Sequence, residues 1–199
     1  GVSALDNLYV VLRALEADET ARNAAETDPL MTALGLPYPT IVGIVGGGEW
    51  ASTVLDRVVA DGRYGVRLGQ SPADAAADLR RAVDAANASD LFLREHPATV
   101  EIVGGQFGSG RVPSDHELPV RLAAVAEQLT GRRPALLGEP YGADMRLFIN
   151  EGNTPCVMYG PGDVKVAHSA DEHVPIAEVE ECARVLATWV ARELALRRG

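Results

Sequence analysis

The chain has little of what marks a disulfide scaffold, a membrane protein or a nucleic-acid-binding protein. Its 199 residues include two cysteines, Cys156 and Cys182, too few for a disulfide framework and too widely spaced for a C-x-x-C metal knuckle. No apolar run approaches the roughly 20 residues of a membrane span. Only 18 Lys and Arg stand against 28 Asp and Glu, a balance that disfavours phosphate backbones and anionic membranes. We therefore expect a cytoplasmic protein with no nucleic-acid and no membrane partner.

Two common catalytic motifs are also missing. The glycine clusters at 46–48 and 104–110 lack the Lys-Ser or Lys-Thr that a phosphate-binding loop requires. No Gly-x-Ser-x-Gly segment presents a serine nucleophile. The glycine clusters are therefore interpreted as turns, and serine-hydrolase chemistry is not predicted.

The first half of the chain predicts a small α+β domain. Ser3 can cap a helix, and the helix starting at Ser71 has a cap, a proline and an acid in its first turn. Residues 17–39 are predicted as loop, and Asp61-Gly62 as the turn of a hairpin. The predicted order is helix, strand, strand, strand, helix, strand, at 3–15, 40–46, 54–60, 63–68, 71–88 and 98–103. With one strand added before Gly1, this order gives a two-layer domain with two helices on a sheet.

The second half predicts α/β architecture. The stretch Gly104–Pro113 is rich in glycine and polar residues, so the chain is expected to enter a second domain there. Helices are predicted at 118–129 and 176–196, and strands at 134–137 and 155–159. The predicted domains are therefore 1–108 and 109–199.

A histidine flanked by acids follows the second of these strands. The strand leads into Gly160-Pro161-Gly162, and then into His168 with Asp171 and Glu172 close behind. Neutral imidazole is a common zinc ligand, and a carboxylate often fixes its second ring nitrogen. A single histidine is more often a surface residue, since zinc needs three or four ligands, and adjacent acids also favour helix N-termini. Other segments of the sequence are needed to distinguish a metal-ligating histidine from a surface histidine.

Three segments in order carry a family pattern. Gly142 to Arg146 reads G-x-D-x-R, Pro155 to Gly162 reads P-x-x-x-x-G-P-G, and Ala167 to Glu172 reads A-H-x-x-D-E. Together they resemble the C-terminal part of the zinc-dependent amidohydrolase and metallopeptidase family that includes acetylornithine deacetylase, succinyl-diaminopimelate desuccinylase and glutamate carboxypeptidase. The resemblance implies amide hydrolysis of an N-acyl amino acid or short peptide. It also implies zinc or cobalt, two ions per active site, with His168 as a ligand and Asp171 and Glu172 beside it.

The resemblance also implies substrate-binding residues. Arg146, near Asp144, suits a two-pronged grip on a substrate carboxylate, although an ion pair with Asp144 is the alternative. Gly160, Pro161 and Gly162 would form the backbone wall beside the substrate. Ser52 stands where the family usually has asparagine, and this difference weakens the assignment of Ser52 as a substrate-binding residue.

The resemblance places part of the machinery outside this chain. The general base and the remaining ligands are expected upstream of Gly1, so no catalytic residue is assigned here and the 199 residues alone are expected to be inactive. Residues 1–108 would form a ferredoxin-like lid that makes a homodimer. The alternative function is a non-catalytic dimerisation or binding module without a complete metal centre.

Overall fold

The computed structural model describes residues 1–196 and divides into two compact units. The first comprises Gly1–Ser109 and Leu137–Ala143, and the second comprises Gly110–Leu136 and the chain from Asp144 onward. The predicted second domain runs to residue 199, and its last three residues lie outside the described part. The elements are α1 (Ala4–Ala24), α2 (Pro29–Thr32), β1 (Thr40–Gly47), β2 (Val58–Tyr64), α3 (Pro72–Ser89), α4 (Glu117–Thr130), α5 (Met145–Asn150), a 3-10 turn (Val164–Val166) and α6 (Ile176–Leu196).

Helix α1 starts where the sequence predicts but extends further. The Ser3 hydroxyl accepts a hydrogen bond from the N–H of Leu5 at 3.3 Å, and the buried Val11 packs with Val83 and Ala86 of α3. The predicted end near Leu15 and the predicted loop that follows are wrong, because the helix continues to Ala24. Its last turns pack through polar rather than apolar groups, so the hydrophobic pattern ends before the helix does.

The predicted hairpin around Asp61-Gly62 is wrong, whereas strand β1 is confirmed. Strand β2 runs through both residues and pairs antiparallel with β1, with a bulge between Val42 and Ile44. A Cβ atom added at Gly62 would lie 2.2 Å from the carbonyl oxygen of Ile41. The glycine therefore permits close approach of two strands and does not form a turn.

The part of the chain covered by the structure contains one sheet, which consists of β1 and β2. Three other predicted strands are therefore wrong: 98–103, 134–137 and 155–159. A strand exists only when a neighbour satisfies its backbone groups, and these segments pair with no residue among 1–196. Two of these segments use apolar side chains for packing instead: Ala98 and Val100 join the α1–α3 core, and Val157 and Tyr159 pack against the α4–α6 core. The mixed helix-and-strand class is confirmed, whereas the predicted lid sheet is not.

Helices α4 and α6 form the core of the second unit, as their apolar spacing predicts. Leu122, Val125 and Ala126 of α4 pack against Val185 of α6, which is fully buried. The predicted α3 is also confirmed, with Ser71 accepting a hydrogen bond from the N–H of Asp74 at 3.1 Å. Among the residues described, no helix is long and apolar enough to cross a membrane.

Candidate metal and substrate site

The glycine turn at 160–162 is bound to the start of α6. Gly162 has a φ of +88°, a conformation that side chains other than glycine's disfavour. Its N–H donates a hydrogen bond to Oε2 of Glu178 at 2.9 Å. A Cβ atom at this position would lie 3.3 Å from Val174 Cγ2, whereas one at Gly160 would meet nothing within 4 Å. Gly162 is therefore bonded to α6 with little space for a side chain, whereas Gly160 has free space around it.

His168 is held in a left-handed backbone conformation by a carboxylate. Its φ is +61°, which few non-glycine residues adopt. The N–H of His168 donates to Oε2 of Glu172 at 3.1 Å, and the N–H of Glu172 donates to the carbonyl of Ser169 at 3.3 Å. The structure thus places the carboxylate of Glu172 on the backbone of His168. A role for Glu172 in orienting the imidazole stays a prediction.

The neighbours of His168 lie in an exposed turn ahead of α6. Nδ1 of His173 lies 2.6 Å from the carbonyl oxygen of Asp171. Since α6 begins at Ile176, Asp171 and Glu172 are not acids of its first turn, and that alternative for them is wrong. The acid in the first turn of α6 is Glu178.

The described residues do not form a zinc site by themselves. Among residues 1–196, no group of three or more His, Cys, Asp or Glu side chains is placed to hold a metal ion. His96 stacks on Phe92 with ring centroids 4.4 Å apart, and Nδ1 of His116 accepts the N–H of Leu118 at the start of α4. His168 can supply one ligand, and zinc requires others that these residues do not bring to it.

Arg146 lies on a short helix that the sequence did not predict. It is half-buried on α5, and Asp144 precedes the first residue of that helix. The carbonyl of Asp144 accepts the N–H of Leu147 at 2.8 Å. A Cβ atom at Gly110 would lie 2.9 Å from Arg146 Cα, so the glycine lets the incoming chain pass directly against this helix. Ser52 lies exposed in a turn of the first unit.

A cavity of about 190 Å³ opens beside the glycine turn. Arg132 forms a 3.1 Å ion pair with Glu181 there, and burial, followed by the nearby Cys182 and Glu181, raises the pKa of Tyr159. The side chain of Glu181 is 30% exposed. The lining residues are Arg132, Tyr159, Gly160, Pro161, Glu178, Glu181 and Cys182.

Sequence reasoning missed Glu178 and the Arg132–Glu181 pair. The position of Glu178 in the first turn of a predicted helix was a visible signal, but nothing local indicated that it would bind Gly162. The ion pair joins residues 49 positions apart, and such a contact follows only from the packing of α4 against α6.

Comparison with known proteins identifies the family. Residues 14–192 match the family described as Peptidase family M20/M25/M40. The chain belongs to this family, which confirms the resemblance carried by the three segments in the second half.

Curated relatives include deacylating enzymes. The chain is 25% identical over 193 residues to an acetylornithine deacetylase of Yersinia pseudotuberculosis, covering 96% of this chain and 45% of the relative. It is 23% identical over 155 residues to N-formyl-4-amino-5-aminomethyl-2-methylpyrimidine deformylase of Bacillus subtilis, covering 74% and 36%. A 43-residue segment is 42% identical to an acetylornithine deacetylase of Myxococcus xanthus, covering 22% and 11%. The chain therefore spans less than half the length of these relatives.

Proposed function

We propose that this chain is the C-terminal part of a metal-dependent hydrolase that cleaves the amide bond of an N-acyl amino acid or short peptide. The observation that carries the proposal is the family match over residues 14–192. The names of two relatives, a deacetylase and a deformylase, both describe removal of an acyl group. Because both relatives remove an acyl group, we infer that the substrate of this protein is an N-acyl compound.

The two halves have different tasks in this proposal. Residues 1–108 form the lid that joins two subunits into a homodimer, and residues 109–199 form the C-terminal part of the catalytic domain. The division of the chain into compact units at Ser109 and Gly110 supports this assignment. Residues 137–143 are an exception, since they group with the first unit, where a Cβ atom at Gly138 would lie 2.7 Å from the sulfur of Met31 and 2.9 Å from the carbonyl oxygen of Leu30. Sedimentation of the whole enzyme tests the dimer, and a monomer at working concentration would contradict it.

His168 is the ligand that this chain contributes. Its exposed position and the hydrogen bond from its backbone to Glu172 support the assignment, because this bond holds the turn that presents the imidazole. Asp171 adds negative charge close to the ligand. Zinc or cobalt, two ions per site, would supply the Lewis acid that activates the amide for attack. The other ligands and the general base come from outside these residues.

Arg146 binds the carboxylate of the substrate, and Asp144, the residue before α5, also lines the substrate site. The guanidinium geometry suits bidentate recognition, and the half-buried position of Arg146 on a helix limits its movement. Gly160, Pro161 and Gly162 form the wall of the substrate site, and the open space at Gly160 supports this role. Ser52, which stands where the family usually has asparagine, is a further proposed substrate-binding residue.

The test is an assay of the whole zinc-loaded enzyme against N-acetyl, N-formyl and N-succinyl amino acids. We expect release of the free amine from at least one of these classes, and its loss after chelation followed by recovery with zinc. Failure to hydrolyse any of them would overturn the proposed function. The Arg146→Ala variant should raise KM about tenfold or more for carboxylate-bearing substrates, with less effect on the matched amide of the same substrate. An equal loss on both substrates would make Arg146 a structural residue.

A second candidate is a non-catalytic dimerisation or binding module. One observation favours it: within residues 1–196 no three metal-ligating side chains are placed around one point. If the natural polypeptide has no upstream histidine, aspartate and glutamate ligands, this candidate replaces the hydrolase.

A further inference from the structure

A side chain of α6 binds the glycine turn. The N–H of Gly162 donates a hydrogen bond to Oε2 of Glu178 at 2.9 Å, and Gly162 adopts a φ of +88°. On its other side, Val174 Cγ2 lies 3.3 Å from the place of a Cβ atom. A charge-assisted hydrogen bond thus ties the turn to α6, and Val174 limits the space for a larger residue at position 162.

Helix α6 is a firm support for that bond. Cys182 and Val185 are 8% and 0% exposed on α6, and Val185 packs against Leu122 and Val125 of α4. Glu178 stands one turn before Cys182 on this anchored helix. Because α6 packs against α4, the carboxylate of Glu178 on α6 restrains the position of the glycine turn to which it is hydrogen-bonded.

The bound turn faces open space. Gly160 and Pro161 line the cavity of about 190 Å³ together with Glu178. A Cβ atom at Gly160 would meet nothing within 4 Å. Any movement of Gly162 away from Glu178 would therefore change the wall of this cavity, not the packed core of α4 and α6.

We propose that Glu178 is a positioning residue, which fixes the glycine turn and so the wall against which the substrate is bound. This inference rests on the proposed function, in which Gly160–Gly162 form that wall. Glu178 touches no reacting atom in this account. It acts through the backbone of Gly162, so loss of its acceptor oxygen should affect substrate binding more than the chemical step.

The alternative is that Glu178 is merely an acid favoured by the dipole of α6. Glutamine distinguishes the two, because Glu178→Gln keeps an oxygen that can accept the N–H of Gly162 but removes the charge. Glu180 offers a matched control, since it is an exposed acid two residues further along the same helix.

The experiment compares Glu178→Ala, Glu178→Gln and Glu180→Ala in the whole zinc-loaded enzyme. We expect Glu178→Ala to raise KM about threefold to tenfold, the worth of one hydrogen bond, with kcat within about twofold. Glu178→Gln should stay near the wild-type value, and Glu180→Ala should not differ from wild type. Equal losses in Glu178→Gln and Glu178→Ala, or no change in Glu178→Ala, would overturn the positioning role.

A readout that does not need activity separates this inference from the proposed function. In glycine-labelled NMR spectra of the 199-residue chain, the amide proton of Gly162 should shift in Glu178→Ala and remain near its place in Glu180→Ala. An unshifted Gly162 amide in Glu178→Ala would overturn the inference. An enzyme that hydrolyses no N-acyl substrate, but whose Gly162 amide shifts as expected, would overturn the proposed function and leave the contact established.

Discussion

Two polar regions of the molecule are built in opposite ways. At the end of α1, Arg22 is 5% exposed, yet its guanidinium donates to Asp18, to the carbonyl of Gly65 and to the hydroxyl of Thr40 at 2.7–2.9 Å. It also lies 3.9 Å over the ring of Tyr64. By contrast, all residues from 167 to 180 are exposed, and His168 is held there by a hydrogen bond from its backbone.

The difference separates a polar cluster that is satisfied within the first unit from a polar segment that is open to solvent. A buried charge is tolerated only when its hydrogen-bonding groups are satisfied, and Arg22 meets this condition within the first unit. The exposed segment around His168 has no such closure of its own. In the proposed function this segment supplies one part of a metal site, and ligands from outside these residues complete it.

The largest effect is expected at the exposed region. His168→Ala in the whole enzyme should lower kcat/KM more than about a hundredfold, since even the outer partners of metal ligands are worth ~10–100-fold. Because His168 has a positive φ, His168→Gly is the matched variant that removes the imidazole and relieves the backbone. Both should lose metal together with activity, as measured by metal analysis and turnover. Full activity in either variant would remove His168 from the metal site.

At the buried region, Arg22→Ala should lower the free energy of unfolding by about 3–4 kcal/mol. The change removes the guanidinium donor from the carbonyl of Gly65 and from the carboxylate of Asp18, which then keeps the hydroxyl of Tyr64 as a donor. Arg13→Ala is the control, since Arg13 is exposed on the same helix. Urea unfolding followed by circular dichroism measures both. Equal, small losses of unfolding free energy in Arg22→Ala and Arg13→Ala would show that the buried contacts of Arg22 do not stabilise the fold.

Another buried polar group of the first unit, the phenol of Tyr38, predicts an alkaline transition. Tyr38 is 2% exposed and donates to the carboxylate of Glu26; burial first and this bond second raise its pKa to about 12. The folded chain therefore keeps the phenol proton that the unfolded chain loses near pH 10. The stability due to this shift is present below about pH 10 and is lost as pH rises to about 12, a change of roughly 2–3 kcal/mol.

Unfolding free energies measured between pH 9 and 12 test this transition, with Tyr38→Phe as the variant that should flatten the profile. Tyr9→Phe is the control because Tyr9 is 57% exposed. An unchanged slope in Tyr38→Phe would assign the alkaline loss to other groups. Tyr64 is one such group, since burial and its bond to Asp18 also raise its pKa.

The smallest effect is expected at the glycine turn. Gly162→Ala should cost ~1–2 kcal/mol of stability, because alanine is disfavoured at a φ of +88°. Gly160→Ala should be nearly neutral, because a Cβ atom there would meet nothing within 4 Å. Thermal unfolding of both variants measures the difference in stability. A larger loss at Gly160 than at Gly162 would reverse the account of which glycine is held.

Local patterns in the sequence predicted the elements that depend on local chemistry. The cap at Ser71, the apolar spacing of α4 and α6 and the β-branched run of β1 each identified their element. Elements that depend on distant partners were missed or misplaced. Arg22 prolongs α1 through contacts 18 and 43 residues away, and Gly62 lies in a strand because β1 lies beside it.

The candidate site divides in the same way. Motif order gave His168, Arg146 and the glycine turn as candidates, because these segments are continuous in sequence. The bond from Gly162 to Glu178 and the pair of Arg132 with Glu181 depend on α6 folding back beside those segments. No local pattern carries that information.

Zinc titration by calorimetry tests the central claim most directly. His168 is proposed as a ligand in a metal site that residues outside this 199-residue chain complete. Zinc should bind weakly or not at all to the 199-residue chain, and tightly to the whole enzyme in a manner lost in His168→Ala. Tight one-to-one binding by the 199-residue chain that survives His168→Ala would contradict the account, since the site would then be built from other residues.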